Sequence, residues 1–142
     1  AASDVYKRQF MDYRNASDFS DRNTIIYGHH MRTGNMFGKL VNFKSDSYYQ
    51  QHDHMFIMTP QVTYRLELLC GAVVEPDDPI YSIDPTEEAL AACMRRSTFQ
   101  TKLDLPGEEA RLVTLSTCSY EFEDARYIVI GVLTPLEETV KN

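Results

Sequence analysis

Two apolar runs in the second half of the chain decide most of what it can fold into. Arg111-Leu-Val-Thr-Leu-Ser-Thr-Cys118 and Arg126-Tyr-Ile-Val-Ile-Gly-Val-Leu133 are rich in β-branched residues, and a short acidic connection separates them. Side chains branched at Cβ suit a pleated, half-buried surface, so the pair reads as a β-hairpin. A third run, Gln61 to Cys70, alternates, with Val62, Tyr64, Leu66 and Leu68 on one face and Thr63, Arg65 and Glu67 on the other. It continues into Ala72-Val73-Val74, which predicts one long strand bulged at Gly71. Shorter strands are expected at Phe10–Tyr13, Thr24–Tyr27 and Met55–Met58.

Two segments carry helical signals. Asp84-Pro85-Thr86-Glu87 offers an N-cap residue, proline at the first helical position and glutamate at the third. Leu90, Cys93 and Met94 follow at three-and-four spacing, and Arg95-Arg96 favours the negative end of the helix dipole, so a helix is expected over 85–96. Met36 to Phe43 has the apolar pattern of a short helix packed on a sheet, weakened by Gly38. With no internal repeat, linker or low-complexity tract in 142 residues, the expectation is one mostly β domain with peripheral short helices.

Charge and cysteine usage exclude several function classes. Fourteen Lys and Arg against 21 Asp and Glu leave a net charge of −7 with no basic run, which removes the footprint that nucleic-acid binding needs. No stretch of eighteen apolar residues is present to span a membrane, and Ala1 to Gln9 lacks the apolar centre of a signal peptide. The three cysteines, Cys70, Cys93 and Cys118, have no Cys-x-x-Cys spacing, which argues against a disulfide framework and a structural zinc site. Cys70, in an apolar strand, and Cys93, on the apolar face of a helix, read as buried structural residues. Asp77-Asp78-Pro79 reads as a turn, not a calcium site, and neither a metal nor a cofactor is expected.

The hairpin also concentrates chemistry. Cys118 ends its first strand and Arg126, eight positions on, begins the second, so the turn brings the two side by side at one end of the sheet. A guanidinium beside a thiol favours the thiolate and offers fixed donors to an oxygen that turns negative during attack on a carbonyl. The plainer reading has Arg126 pairing with Glu121, Glu123 or Asp124 while Cys118 fills space. A proton donor must come from His29, His30, His52 or His54. Gly28 ends a strand and sets His29 at a sheet edge, where a general acid and base belongs, whereas His52-Asp53-His54 has no third metal ligand at a recognisable spacing and reads as a solvated loop.

Thr114-Leu-Ser-Thr-Cys118, Arg126 opening an apolar strand, and upstream Asn23-Thr-Ile-Ile-Tyr-Gly-His-His-Met31 with Met36-Phe37-Gly38 resemble the sortases, in particular class B sortases of Gram-positive bacteria. The resemblance covers about residues 10 to 135. It implies a closed or partly open sortase-like β-barrel and a cysteine transpeptidase on the extracellular face of the membrane. Such an enzyme cleaves an Asn-Pro-x-Thr-type C-terminal sorting signal of secreted proteins and transfers the protein to a peptidoglycan amine (lipid II or cross-bridge). By the same resemblance Cys118 is the nucleophile, His29 the general acid and base, and Arg126 the oxyanion stabiliser. Ser116, Thr117, Tyr81 and Ile83 become substrate-contact candidates, although core packing explains Tyr81 and Ile83 equally well. Pilin joining, hydrolysis and peptide capture without turnover are the alternatives. Class B sortases carry an anchor, helices and barrel strands ahead of the segment resembling Phe10–Tyr13. The expectation is therefore a non-native or disordered 1–9, a catalytic domain over 10–142 lacking those strands, and membrane contact only through an anchor absent from this chain.

Overall fold

The computed structural model describes residues 9–28 and 39–136. His29, His30, Met36, Phe37, Gly38 and the segment 1–8 lie outside the described residues. The expected hairpin forms the middle of a six-stranded sheet: strand β5 (Leu112–Cys118) pairs antiparallel with β6 (Arg126–Pro135). On the far side of β5 lies β2 (Asn23–Gly28), parallel to it, and then β1 (Gln9–Met11), antiparallel to β2. Beyond β6 lie β4 (Thr63–Val74) and β3 (His54–Met58), both antiparallel, giving the order β1-β2-β5-β6-β4-β3. The sheet is a curled, open half-barrel, which is the partly open form of the expected architecture.

Both faces of the central strands are covered, which is why β5 and β6 read as continuous apolar runs and not as alternating ones. Leu66, Leu68, Val113, Leu115, Tyr127 and Val129 face a layer made by a 3-10 turn (Leu40–Lys44), helix α1 (Asp46–Gln51) and Phe99. Ile25, Cys70, Ala72, Leu112, Ile128 and Ile130 face a second 3-10 turn (Pro79–Tyr81) and helix α2 (Glu87–Arg95). Burying a side chain of this size contributes roughly 1.5–3 kcal/mol, so two such layers hold the sheet from both sides.

Three expectations about these elements need correction. The bulge in β4 falls at Leu69, not Gly71, since Leu68 pairs with Gly131 and Cys70 with the adjacent Ile130. That extra residue moves the inward-facing set from Leu66 and Leu68 on one face to Cys70, Ala72 and Val74 on the other. Helix α2 starts at Glu87, not at position 85: the Thr86 hydroxyl accepts from the Ala89 N–H at 3.0 Å, while Pro85 precedes the cap. In the 36–43 segment the described part is helical from Lys39 and continues as the 3-10 turn Leu40–Lys44, but a further helix, α1, follows it where none was expected.

Candidate active site

Alternation along β5 puts Leu112, Thr114, Ser116 and Cys118 on the α2 side of the sheet. The hairpin register pairs Cys118 directly with Arg126, and both are half-buried at the sheet end, whereas Cys70 and Cys93 have no exposure. Tyr27 of β2 pairs with Ser116, so β2 and β5, running parallel, finish at this same end. Phe10, Tyr27, Gly28, Ser116, Thr117, Cys118 and Arg126 line a cavity of about 160 Å³. Gly28, the last described residue before His29, is thus in the wall that holds Cys118.

The guanidinium of Arg126 donates to the backbone carbonyls of Asp124 (2.9 Å) and Ala125 (3.3 Å). Among the described residues no carboxylate forms an ion pair with it. Glu121 instead pairs with Lys44 and accepts from Ser119, and these contacts hold the carboxyl at a pKa of about 2. Glu121 of the acidic turn is therefore paired from the other layer of the fold, while Arg126 lines the cavity.

Ser116 and Tyr81 meet across this wall. The Tyr81 hydroxyl and the Ser116 Oγ are 2.7 Å apart, and burial pushes the Tyr81 hydroxyl up to about 12, so it stays protonated. Tyr81 is 9% exposed and packs in the core with α2, outside the lining of the Cys118 cavity, while its hydroxyl reaches Ser116 on the Cys118 strand. Ile83 is half-buried and outside the lining of the Cys118 cavity; its carbonyl accepts from the Asn23 N–H at 3.1 Å. Thr117 is buried on the opposite face, its hydroxyl without a hydrogen-bond partner among the described residues, so what it offers the cavity is backbone.

Other polar candidates separate from this end. His52 and His54 contact the Tyr48 carbonyl and the Asp53 carboxylate, each at 2.9 Å, and among the described residues no cluster of three metal-ligating side chains occurs. Three partners of the site escaped sequence reasoning. Asn23, buried at the start of β2, donates to the Ser82 carbonyl at 2.9 Å and accepts from the Thr114 hydroxyl at 2.8 Å. Asp12 and Arg14 form a bidentate pair beside Tyr27. The only local signal for that pair is two opposite charges two positions apart after a short strand.

The sortase domain profile matches residues 2–134. Sortase B of Listeria monocytogenes is 32% identical over 133 residues, covering 87% of this chain and 53% of the relative. The chain spans about half the length of the curated relatives it matches. A solved Staphylococcus aureus sortase B–substrate complex superposes with a TM-score of 0.80 at 25% identity, over 91% of this chain and 62% of that one. A Streptococcus pyogenes class B sortase involved in pilus biogenesis does so at 0.76 and 31% identity, over 89% and 71%. With the profile running through nearly all of its sequence and its half-barrel shared with solved class B members, the chain belongs to the sortase family.

Proposed function

We propose that the chain is the catalytic region of a class B-like cysteine transpeptidase, and that Cys118, Arg126 and His29 carry the reaction. The observation that supports this most is the pairing of Cys118 with an Arg126 that no carboxylate among the described residues neutralises, at the mouth of one cavity. In this reading Cys118 Sγ attacks the threonine carbonyl of an Asn-Pro-x-Thr-type signal, and the carbonyl oxygen takes up the negative charge facing Arg126. Collapse breaks the C–N bond, His29 gives its proton to the departing amine, and a thioester on Cys118 remains. The acceptor amine loses a proton to His29 and attacks the thioester, forming a new amide and releasing the sulfur. Ser116, the Thr117 backbone and Tyr81 form the wall along which the signal lies, and Ile83 acts one step removed through that segment. The acceptor is a peptidoglycan amine, lipid II or cross-bridge, presented outside a Gram-positive cell.

Pilin joining is the second reading, favoured by the 31% identity to a class B sortase involved in pilus biogenesis. It differs only in the acceptor, a lysine of another protein. A signal-peptide assay with and without added amines tests the proposal. Joined product with a small amine, lost in Cys118→Ala and reduced roughly 10²–10³-fold in Arg126→Lys, is expected, since lysine keeps the charge but not the planar fork. Release of free acid at the same rate whether or not amine is present would identify a hydrolase instead.

A further inference from the structure

Asp12 lies just after β1, is 7% exposed, and belongs to none of the catalytic roles above. A buried carboxylate costs stability unless donors surround it, and an apolar residue would pack there at lower cost. Four donors surround this one: Arg14 N–H and Nε to Oδ1, each at 2.9 Å, and Arg14 Nη2 (3.0 Å) and the Tyr27 hydroxyl (2.9 Å) to Oδ2. The same Arg14 Nη2 also donates to the Tyr81 carbonyl at 2.8 Å. One charge therefore ties the end of β1, the end of β2 and the turn ahead of α2.

Two of those segments supply rings that line the cleft, Phe10 and Tyr27, and the third supplies Tyr81 packed behind them. Tyr27 stacks between Phe10 (centroids 5.2 Å apart) and Tyr81 (6.2 Å), and Tyr81 reaches Ser116 on the strand that ends in Cys118. The β1–β2 ladder pairs Phe10 with Tyr27 and so sets their spacing, but no ladder reaches Tyr81, which lies in the turn ahead of α2. Burial and Asp12 together push the Tyr27 hydroxyl up to about 12, which keeps it a donor at any working pH.

We propose that Asp12 is a positioning residue for peptide recognition: through Tyr27 and Arg14 it sets Tyr81, and the Ser116 contact that Tyr81 makes, against the Phe10–Tyr27 wall beside Cys118. The inference rests on the transpeptidase reading for its substrate, a peptide carrying a sorting signal, but concerns binding and not the reactivity of sulfur. Asp12→Asn keeps the side chain's shape and removes its charge; Tyr27→Phe removes only the hydroxyl that Asp12 holds. Measured well below each variant's Tm, both are expected to raise KM for the signal peptide about tenfold with kcat within threefold of wild type. Alkylation of Cys118 by iodoacetamide should keep its rate, and the double variant should be no worse than Asp12→Asn alone. Unchanged KM in folded variants, with only Tm lowered, would overturn the proposal and reduce Asp12 to a structural tie. If the wild type binds the peptide without turning it over, the transpeptidase reading fails and fluorescence-polarisation Kd replaces KM as the readout, with the same tenfold weakening expected. A wild type that neither turns over nor binds the peptide overturns both.

Discussion

Exposure separates Cys118 from the other two thiols more sharply than anything else about them. Cys70 and Cys93 are fully buried with their sulfurs 3.5 Å apart, and the contact with Cys93, added to burial, raises the Cys70 thiol well above its ordinary value. Such thiols are inert, so a brief methanethiosulfonate treatment should modify Cys118 alone, with Cys70 and Cys93 reacting only after unfolding. Peptide mapping by mass spectrometry checks this, and early modification of either buried thiol would remove Cys118 from its proposed role. Asp12 supplies a prediction about acid. Its carboxyl is held at about 2, chiefly by the Arg14 side chain, so its contribution is complete above pH 4 and is lost as the pH falls toward 2. The shift corresponds to roughly 1–2 kcal/mol after allowing for the exposure of Arg14. Asp12→Asn should be less stable than wild type at pH 6, and the difference should shrink in melts taken between pH 4 and pH 2; a constant gap would contradict the pairing.

At the scale of elements, apolar pattern was a good guide and polar choice was not. The three long strands were legible because a buried strand has a period or an unbroken run, and the side-by-side placement of Cys118 and Arg126 followed from turn length alone. The start of α2 was not, because Asp84 and Thr86 are both good caps and the choice depends on which N–H each meets. The Thr86 hydroxyl meets the Ala89 N–H at 3.0 Å and is the cap, and Asp84 lies two residues ahead of it. Thr86→Ala should therefore cost about 1 kcal/mol, read as a lower Tm, whereas Asp84→Ala should cost little. The bulge at Leu69 had no sequence mark, since Leu68, Leu69 and Cys70 are all apolar and either face accepts them. Beside it, a Cβ on Gly131 would lie 2.5 Å from Leu66 Cγ and 2.9 Å from the Glu67 carbonyl oxygen. Gly131→Ala should destabilise by about 1–3 kcal/mol in a denaturant titration, because backbone has to move.

Across the whole molecule, what remained hidden were the polar ties between segments far apart in sequence. Lys44 reaches Ser119 at 2.9 Å and also pairs with Glu121, while Asn23 reaches Ser82 and Arg14 reaches Tyr81. None has a period or spacing that a single sequence reveals: Lys44 acts on the turn after Cys118, while Arg14 and Asn23 hold the segment ahead of α2 from the two ends of β2. One layer anchors the turn after Cys118, and the other holds the wall opposite it, so the cleft lies between two independently fixed sides. Two fixed sides serve the proposed chemistry by presenting a partly exposed sulfur, beside a guanidinium free of any carboxylate among the described residues, to a peptide carbonyl. Intact-protein mass spectrometry on an acid-quenched mixture with an Asn-Pro-x-Thr signal peptide tests that directly. The predicted result is a covalent adduct of the peptide's N-terminal fragment that maps to Cys118, is absent from Cys118→Ala, and disappears with formation of joined product when an amine is added. Peptide cleavage that persists in Cys118→Ala, or an adduct mapping to any other residue, would contradict it.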